Sequence, residues 1–144
     1  MKLPEPYVYF VDRSIGRTVV VEALRAAGET AHAHDDHFAQ NTPDADWLVE
    51  VARRGWVILT KDKDIRRNEL ERRAIANAKA ACFMLGRGDV SAATMGRTFV
   101  AALPRIRRVL RRFDVPLGAS VYLAGQLRVV LAGGRWLDPP KEVR

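Results

Sequence analysis

The sequence holds one cysteine, Cys82, and three histidines, His32, His34 and His37. A single thiol cannot build an internal disulfide framework, so a reducing compartment, the cytoplasm, is expected. Without a second histidine or cysteine pair the chain also lacks the ligands of a closed zinc site. No apolar run approaches the roughly 20 residues that span a bilayer, so no membrane partner is expected. The first residues do not follow the basic-then-apolar order of a signal peptide. Glycine patterns for a nucleotide cofactor are missing: Gly86-Arg87-Gly88 follows an apolar run but lacks the remaining spacing. No repeat, low-complexity segment or linker divides the 144 residues. One domain with a proper core is expected, with a loose charged tail from about residue 138.

What the chain does have is apolar content and positive charge. Hydrophobic residues make up 48%, the formal net charge is +7 and the pI is about 10.2. Such a surface attracts polyanions, nucleic acid among them.

Strand-like and helix-like stretches alternate. Tyr7 to Val11 reads as a strand ending at Asp12. A helix follows, capped by Ser14, with Val19, Val20, Ala23, Leu24 and Ala27 as its stripe and Gly28 at its end. Thr30 to His34 is a weaker strand. Trp47, Leu48, Val51 and Ala52 mark a second helix, closed by Gly55. Trp56 to Leu59 is an unbroken apolar strand that runs into Thr60-Lys61-Asp62-Lys63-Asp64. Asn68 and Glu71 resemble a capping box for a helix carrying Leu70, Ala74, Ile75 and Ala78. Ala81 to Leu85 is another strand. From Ser91 a long helical pattern carries Met95, Phe99, Leu103, Ile106, Leu110 and Phe113, and Pro104 is expected to kink or split it. Residues 119–131 read as a hairpin turning near Gly125-Gln126. This order predicts an α/β fold: a mostly parallel sheet, right-handed crossovers, helices on both faces and a C-terminal β-hairpin.

In such a sheet the carboxyl ends of the parallel strands share one rim, where ligands bind. Asp12 ends the first strand. Asp62 and Asp64 follow the third, just after Thr60 and Lys61, and Asp44 and Asp46 open the helix before it. Carboxylates held together repel one another unless a cation neutralises them, and oxygen-only ligation suits Mg²⁺ or Mn²⁺. Such an ion polarises a phosphate and activates water. Each acid also has an ordinary reading. Asp12 can end a turn, Asp44 can cap a helix after Pro43, and Asp46 suits the helix dipole. Asp62 and Asp64 can be solvated charges beside Lys61, Lys63 or Arg66. Their convergence on one rim favours the functional reading.

His32 and His34, on one face of a strand beside Asp35, Asp36 and His37, invite a transition metal. A solvated strand end is the favoured reading. Cys82 reads as inert core. Arg105, Arg107, Arg108, Arg111 and Arg112 crowd one segment. They form either a solvated helix face or a ridge that contacts phosphates or docks an acidic partner.

The strand ending in Asp12, then Thr42-Pro43-Asp44-Ala45-Asp46-Trp47-Leu48, then Ile58-Leu59-Thr60-Lys61-Asp62-Lys63-Asp64, resembles the compact PIN-like domains, closest to the VapC-type toxins of bacterial toxin–antitoxin pairs. The resemblance covers most of the chain. It implies a three-layer α/β fold, a Mg²⁺- or Mn²⁺-dependent endoribonuclease cutting single-stranded or structured RNA, and a cognate antitoxin as partner. A homodimer is a further expected assembly. Asp12 matches the first acid, Asp44 or Asp46 the middle one, and Asp62 the acid after the threonine. Asp64 matches a position acidic in many PIN domains, and Thr60 and Lys61 support the site. An extra acid on an early helix is usual in the larger pattern, and here only Glu22 or the Asp35-Asp36 pair can supply it. The alternative is a PIN-like domain that binds nucleic acid or protein without cutting. A phosphoacceptor domain ranks last, because its Thr and Lys should end separate later strands.

Overall fold

The structure is a computed structural model and describes residues 1–61, 69–86 and 89–144. In chain order the elements are β1 (Val8–Val11), α1 (Val19–Ala26), β2 (Thr30–Ala33), α2 (Asp44–Arg53), β3 (Val57–Lys61), α3 (Glu69–Ala78), β4 (Ala81–Leu85), α4 (Ala92–Arg112), β5 (Leu117–Val121), β6 (Leu127–Ala132) and β7 (Arg135–Val143). The described strands form one seven-stranded sheet in the order β2-β1-β3-β4-β5-β6-β7. Pairing is parallel from β2 through β5 and antiparallel from β5 to β7. The chain leaves β1 toward β2 and returns past it to β3. The β1–β3 seam is therefore the switch point, where an open α/β sheet has its binding crevice.

Alternation along the strands splits the core in two. Tyr9, Val11, Leu59, Phe83 and Leu117 face α1 and α4, where Leu24, Phe99, Leu103 and Ile106 cover them. Phe10, Ile58, Cys82 and Met84 face the other way, against Trp47, Leu48 and Val51 of α2 and Ile75 of α3. Phe10 anchors this second layer, 5.3 Å from the Trp47 ring and edge-on to Phe38. Burying such a side chain stabilises the fold by about 1.5–3 kcal/mol. The three layers and mostly parallel sheet are those the alternation predicts.

Three details differ from the sequence expectation. Helix α1 starts at Val19, too far along the chain for Ser14 to cap it, and it buries Val20, Val21 and Leu24 while Val19 is exposed. Helix α4 runs through Pro104 as one element. The proline lies on its exposed side, where water can satisfy the carbonyl that a missing N–H leaves. The hairpin gains a third strand, because residues read as a charged tail belong to β7, paired to β6 through Val129↔Lys141 and Leu127↔Val143. Trp136, Leu137 and Val143 give β7 an apolar footing. As an edge strand it tolerates Pro139 and Pro140. The capping box expected of Asn68 and Glu71 is not described, because Asn68 lies outside the described residues.

Candidate active site

Register builds the site. Val11 pairs with Leu59, and the Asp12 backbone N–H donates to the Leu59 carbonyl at 3.0 Å. Asp12 therefore stands across from Thr60, on the face covered by α2 and α3. The Thr60 hydroxyl donates to Asp12 Oδ2 at 2.7 Å, and the Ser14 hydroxyl donates to the same oxygen at 2.8 Å. Asp12 is only 2% exposed, and its other oxygen, Oδ1, is buried without a hydrogen-bond partner among the described residues. A buried carboxylate with one oxygen unsatisfied is electrostatically incomplete.

This carboxylate lines a cavity of about 80 Å³ between the sheet and helices α2 and α3. Ile58, Cys82 and Met84 line its sheet side, and Trp47, Leu48 and Ile75 its helix side. Its polar lining is Asp12, Thr60, Lys61 and Asp44. Burial, followed by the charge of Asp12, pushes the Cys82 thiol up to about 12, so it is inert core as expected.

Of the middle acids, Asp44 lines the cavity, whereas Asp46 is exposed and not part of the lining. Asp44 does not act as the helix cap. Pro43 holds that position without a side-chain cap bond. Asp44 Oδ1 instead accepts the Trp47 indole N–H at 3.0 Å and an Arg13 N–H at 2.9 Å. Asp62 and Asp64 lie outside the described residues. Glu22 is exposed on α1, which packs on the opposite face. Asp35 is held by Arg17 at 2.6 Å, Asp36 is exposed, and neither lines the cavity.

Nor do the histidines form a ligand pair. His34 is buried against Phe10, Phe38 and Trp47. His32 stacks on Trp56 at 4.7 Å and meets His37 edge-on. Burial first, then His37, depresses the His32 pKa.

The α4 arginines stand elsewhere. Arg105 donates to the Gly125 carbonyl at 3.3 Å. Arg107, Arg108, Arg111 and Arg112 line a shallow depression with Pro104. Arg107 pairs with Glu29, just before β2, and Arg111 with Glu5, shortly before β1. This cluster therefore sits at the amino ends of the strands, the rim opposite Asp12.

Sequence reasoning missed Arg13 and the site role of Ser14. For Ser14 a signal existed, because a hydroxyl two residues past a strand-end acid returns to its side. For Arg13, whose partners lie 27 and 31 residues downstream, no local pattern points to them.

Among the described residues no three histidine, cysteine or acidic side chains gather closely enough to hold a metal ion. The donor set still fits a hard cation. Asp12 offers an unused oxygen and Asp44 a second carboxylate on the same cavity, while the sulfurs in its lining, the protonated Cys82 thiol and the Met84 thioether, are poor ligands for such an ion.

A cavity at the switch point of a three-layer sheet, with acids after β1 and at the start of α2, defines a class, and the sequence comparison agrees with it. A family model for the PIN like domain matches residues 7–87, over half of the chain. The chain belongs to the PIN-like domain family, in its VapC-type branch. "Putative ribonuclease VapC45" of Mycobacterium tuberculosis (strain ATCC 25618 / H37Rv) is 34% identical to it over 125 residues, covering 84% of this chain and 90% of that protein. No solved structure matches.

Proposed function

We propose that the chain is a Mg²⁺- or Mn²⁺-dependent endoribonuclease cutting single-stranded or structured RNA, and the toxin of a toxin–antitoxin pair. In this reading it works in the cytoplasm as a single domain and is restrained by a cognate antitoxin. The observation that carries the activity is the buried Asp12 carboxylate, fixed by two hydroxyls through Oδ2 and unsatisfied at Oδ1. The name of the relative from M. tuberculosis supports RNA as the substrate.

Each residue has a definable task. Asp12, Asp44 and Asp62 would hold the cation, and Asp64 would add to the site. Asp46, exposed outside the cavity, is left with the helix-dipole role. Ser14 and Thr60 lock the Asp12 rotamer, so its free oxygen is preorganised rather than rotating. Arg13 and Trp47 do the same for Asp44. Lys61, on the cavity wall, supplies a positive charge for a phosphate oxygen. The apolar wall of Ile58 and Met84 keeps the local dielectric low and strengthens every charge interaction in the cavity. A divalent cation bound there would neutralise the carboxylates, polarise the phosphate and lower the pKa of the attacking water.

The test is cleavage of an end-labelled single-stranded RNA by wild type and Asp12→Asn, with Mg²⁺, with Mn²⁺ and with chelator. Metal-dependent cutting that disappears in the folded variant is expected. Cutting that persists in chelator or in Asp12→Asn refutes the reading. The pairing of Asp44 with Arg13 favours a second reading, a PIN-like domain that binds without cutting. It predicts RNA binding with no product under any metal.

A further inference from the structure

Beside the carboxylate cavity, on the same rim, lies an open depression of about 490 Å³ lined by Arg13, Arg17, Asp35, Gln40 and Asn41. Its residues come from the two segments that follow the carboxyl ends of β1 and β2. Arg13 joins it to the cavity, one N–H donating to Asp44 Oδ1 and another to the Gln40 carbonyl. Arg17 is 67% exposed and meets Asp35 Oδ2 through Nε at 2.6 Å. That contact leaves the two terminal amino groups of its guanidinium without a partner among the described residues. Gln40 donates to the same Asp35 oxygen at 3.3 Å, so one half-buried carboxylate positions both side chains.

We propose that this depression is the subsite for the nucleotide next to the scissile phosphate of a single-stranded RNA, a proposal that rests on the ribonuclease reading above. The chemistry matches. An arginine held through Nε presents a fork to phosphate oxygens. Amides of Gln40 and Asn41 match ribose hydroxyls and the base edges that a single strand exposes. The Arg17–Asp35 pair does not block this, since its guanidinium is 67% exposed and a phosphate can share it. The α4 arginines cannot take the role. They lie at the other rim, separated by at least the length of β1, about 13 Å for its four residues.

The experiment uses the full chain and a short fluorescent single-stranded RNA. Binding is read by anisotropy in chelator, and cleavage by steady-state kinetics in Mn²⁺. Arg17→Gln should raise Kd and KM roughly ten-fold while kcat stays within about two-fold. It should make the plot of log affinity against log salt shallower by about 0.7, the share of one phosphate contact. Arg17→Lys should restore part of the loss, and Arg135→Gln, an equal charge change on exposed β7, should do nothing. Unchanged Kd and salt slope in Arg17→Gln overturn the proposal, as does a loss reproduced by Arg108→Gln instead. RNA binding that depends on Arg17 in a protein that cuts nothing would remove the nuclease reading and leave the subsite standing. Cutting with Arg17-independent binding would do the reverse.

Discussion

Asp12→Asn should stabilise the metal-free protein and weaken its response to metal. In the wild type a carboxylate sits 2% exposed, with two hydroxyl donors on Oδ2, none on Oδ1 and no ion-pair partner among the described residues. An uncompensated buried charge costs several kcal/mol, about 5 as a working figure. The two charge-assisted hydrogen bonds return about 2 kcal/mol each. Asparagine keeps an acceptor for both hydroxyls at about 1 kcal/mol each, loses the charge, and buries an unpaired amide N–H at about 1–2 kcal/mol. The balance favours the variant by about 1–2 kcal/mol. For a chain of this size that raises Tm by roughly 3–6 °C. Saturating cation acts oppositely. At a hundred times Kd it stabilises the wild type by about 2.7 kcal/mol, roughly 8 °C, and the variant by much less. The two melting curves should therefore exchange order between chelator and saturating Mn²⁺. Scanning fluorimetry of both proteins across a metal titration reads this directly. A variant that melts several degrees below wild type in chelator, or keeps the full metal-induced rise, would refute the placement of the cation on Asp12.

Further outcomes test neighbouring parts of the argument. Thr60→Val is nearly isosteric and removes one of the two donors to Asp12 Oδ2; denaturant unfolding should show a loss of about 1–2 kcal/mol. Asp62→Asn should leave the protein folded, by circular dichroism, and slow RNA cleavage on the order of a hundred-fold or more. The Cys82 thiol should resist a thiol reagent at pH 8 in the native protein and react once denaturant is added. Because its pKa rises on folding from 9.0 to about 12, its contribution to stability holds below pH 9 and is lost as pH climbs toward 12, which alkaline melting curves can follow. Gly125→Ala should cost at least about 1 kcal/mol, since φ is +87° and the new Cβ would stand 3.0 Å from the Ala101 carbonyl carbon.

Much of this arrangement is written in periodicity. Alternating strand and helix stretches dictate a parallel sheet, and a parallel sheet puts Asp12 and the end of β3 on one rim. Even the choice between Asp44 and Asp46 lies in the helical repeat. Asp44 is three and four residues before Trp47 and Leu48, which α2 buries, while Asp46 is three and four before Val49 and Glu50, which face outward. Ser14 was misread because a cap and a strand-end hydroxyl look alike until the start of the helix is known. Arg13 could not be found, since its partners are fixed only once the β2–α2 loop has folded back over the rim.

The basic segment of α4 follows the same logic, and it separates charge from chemistry. A helix joining β4 to the parallel β5 must run back against the strand direction. Its first turns therefore start at the rim of the acids, and its last turns end at the opposite one. Arg107 and Arg111 obey this, meeting Glu29 and Glu5 just ahead of β2 and β1. A high count of arginines beside an acidic motif in the sequence thus does not place them beside the acids in space. The positive charges nearest a phosphate held at Asp12 come from segments leaving the strands that flank the switch point, β1, β2 and β3. Among the described residues, those segments supply Arg13, Arg17 and Lys61. On the ribonuclease reading, the net charge of +7 would gather RNA over the whole surface, while these few residues would decide where along the strand it is cut.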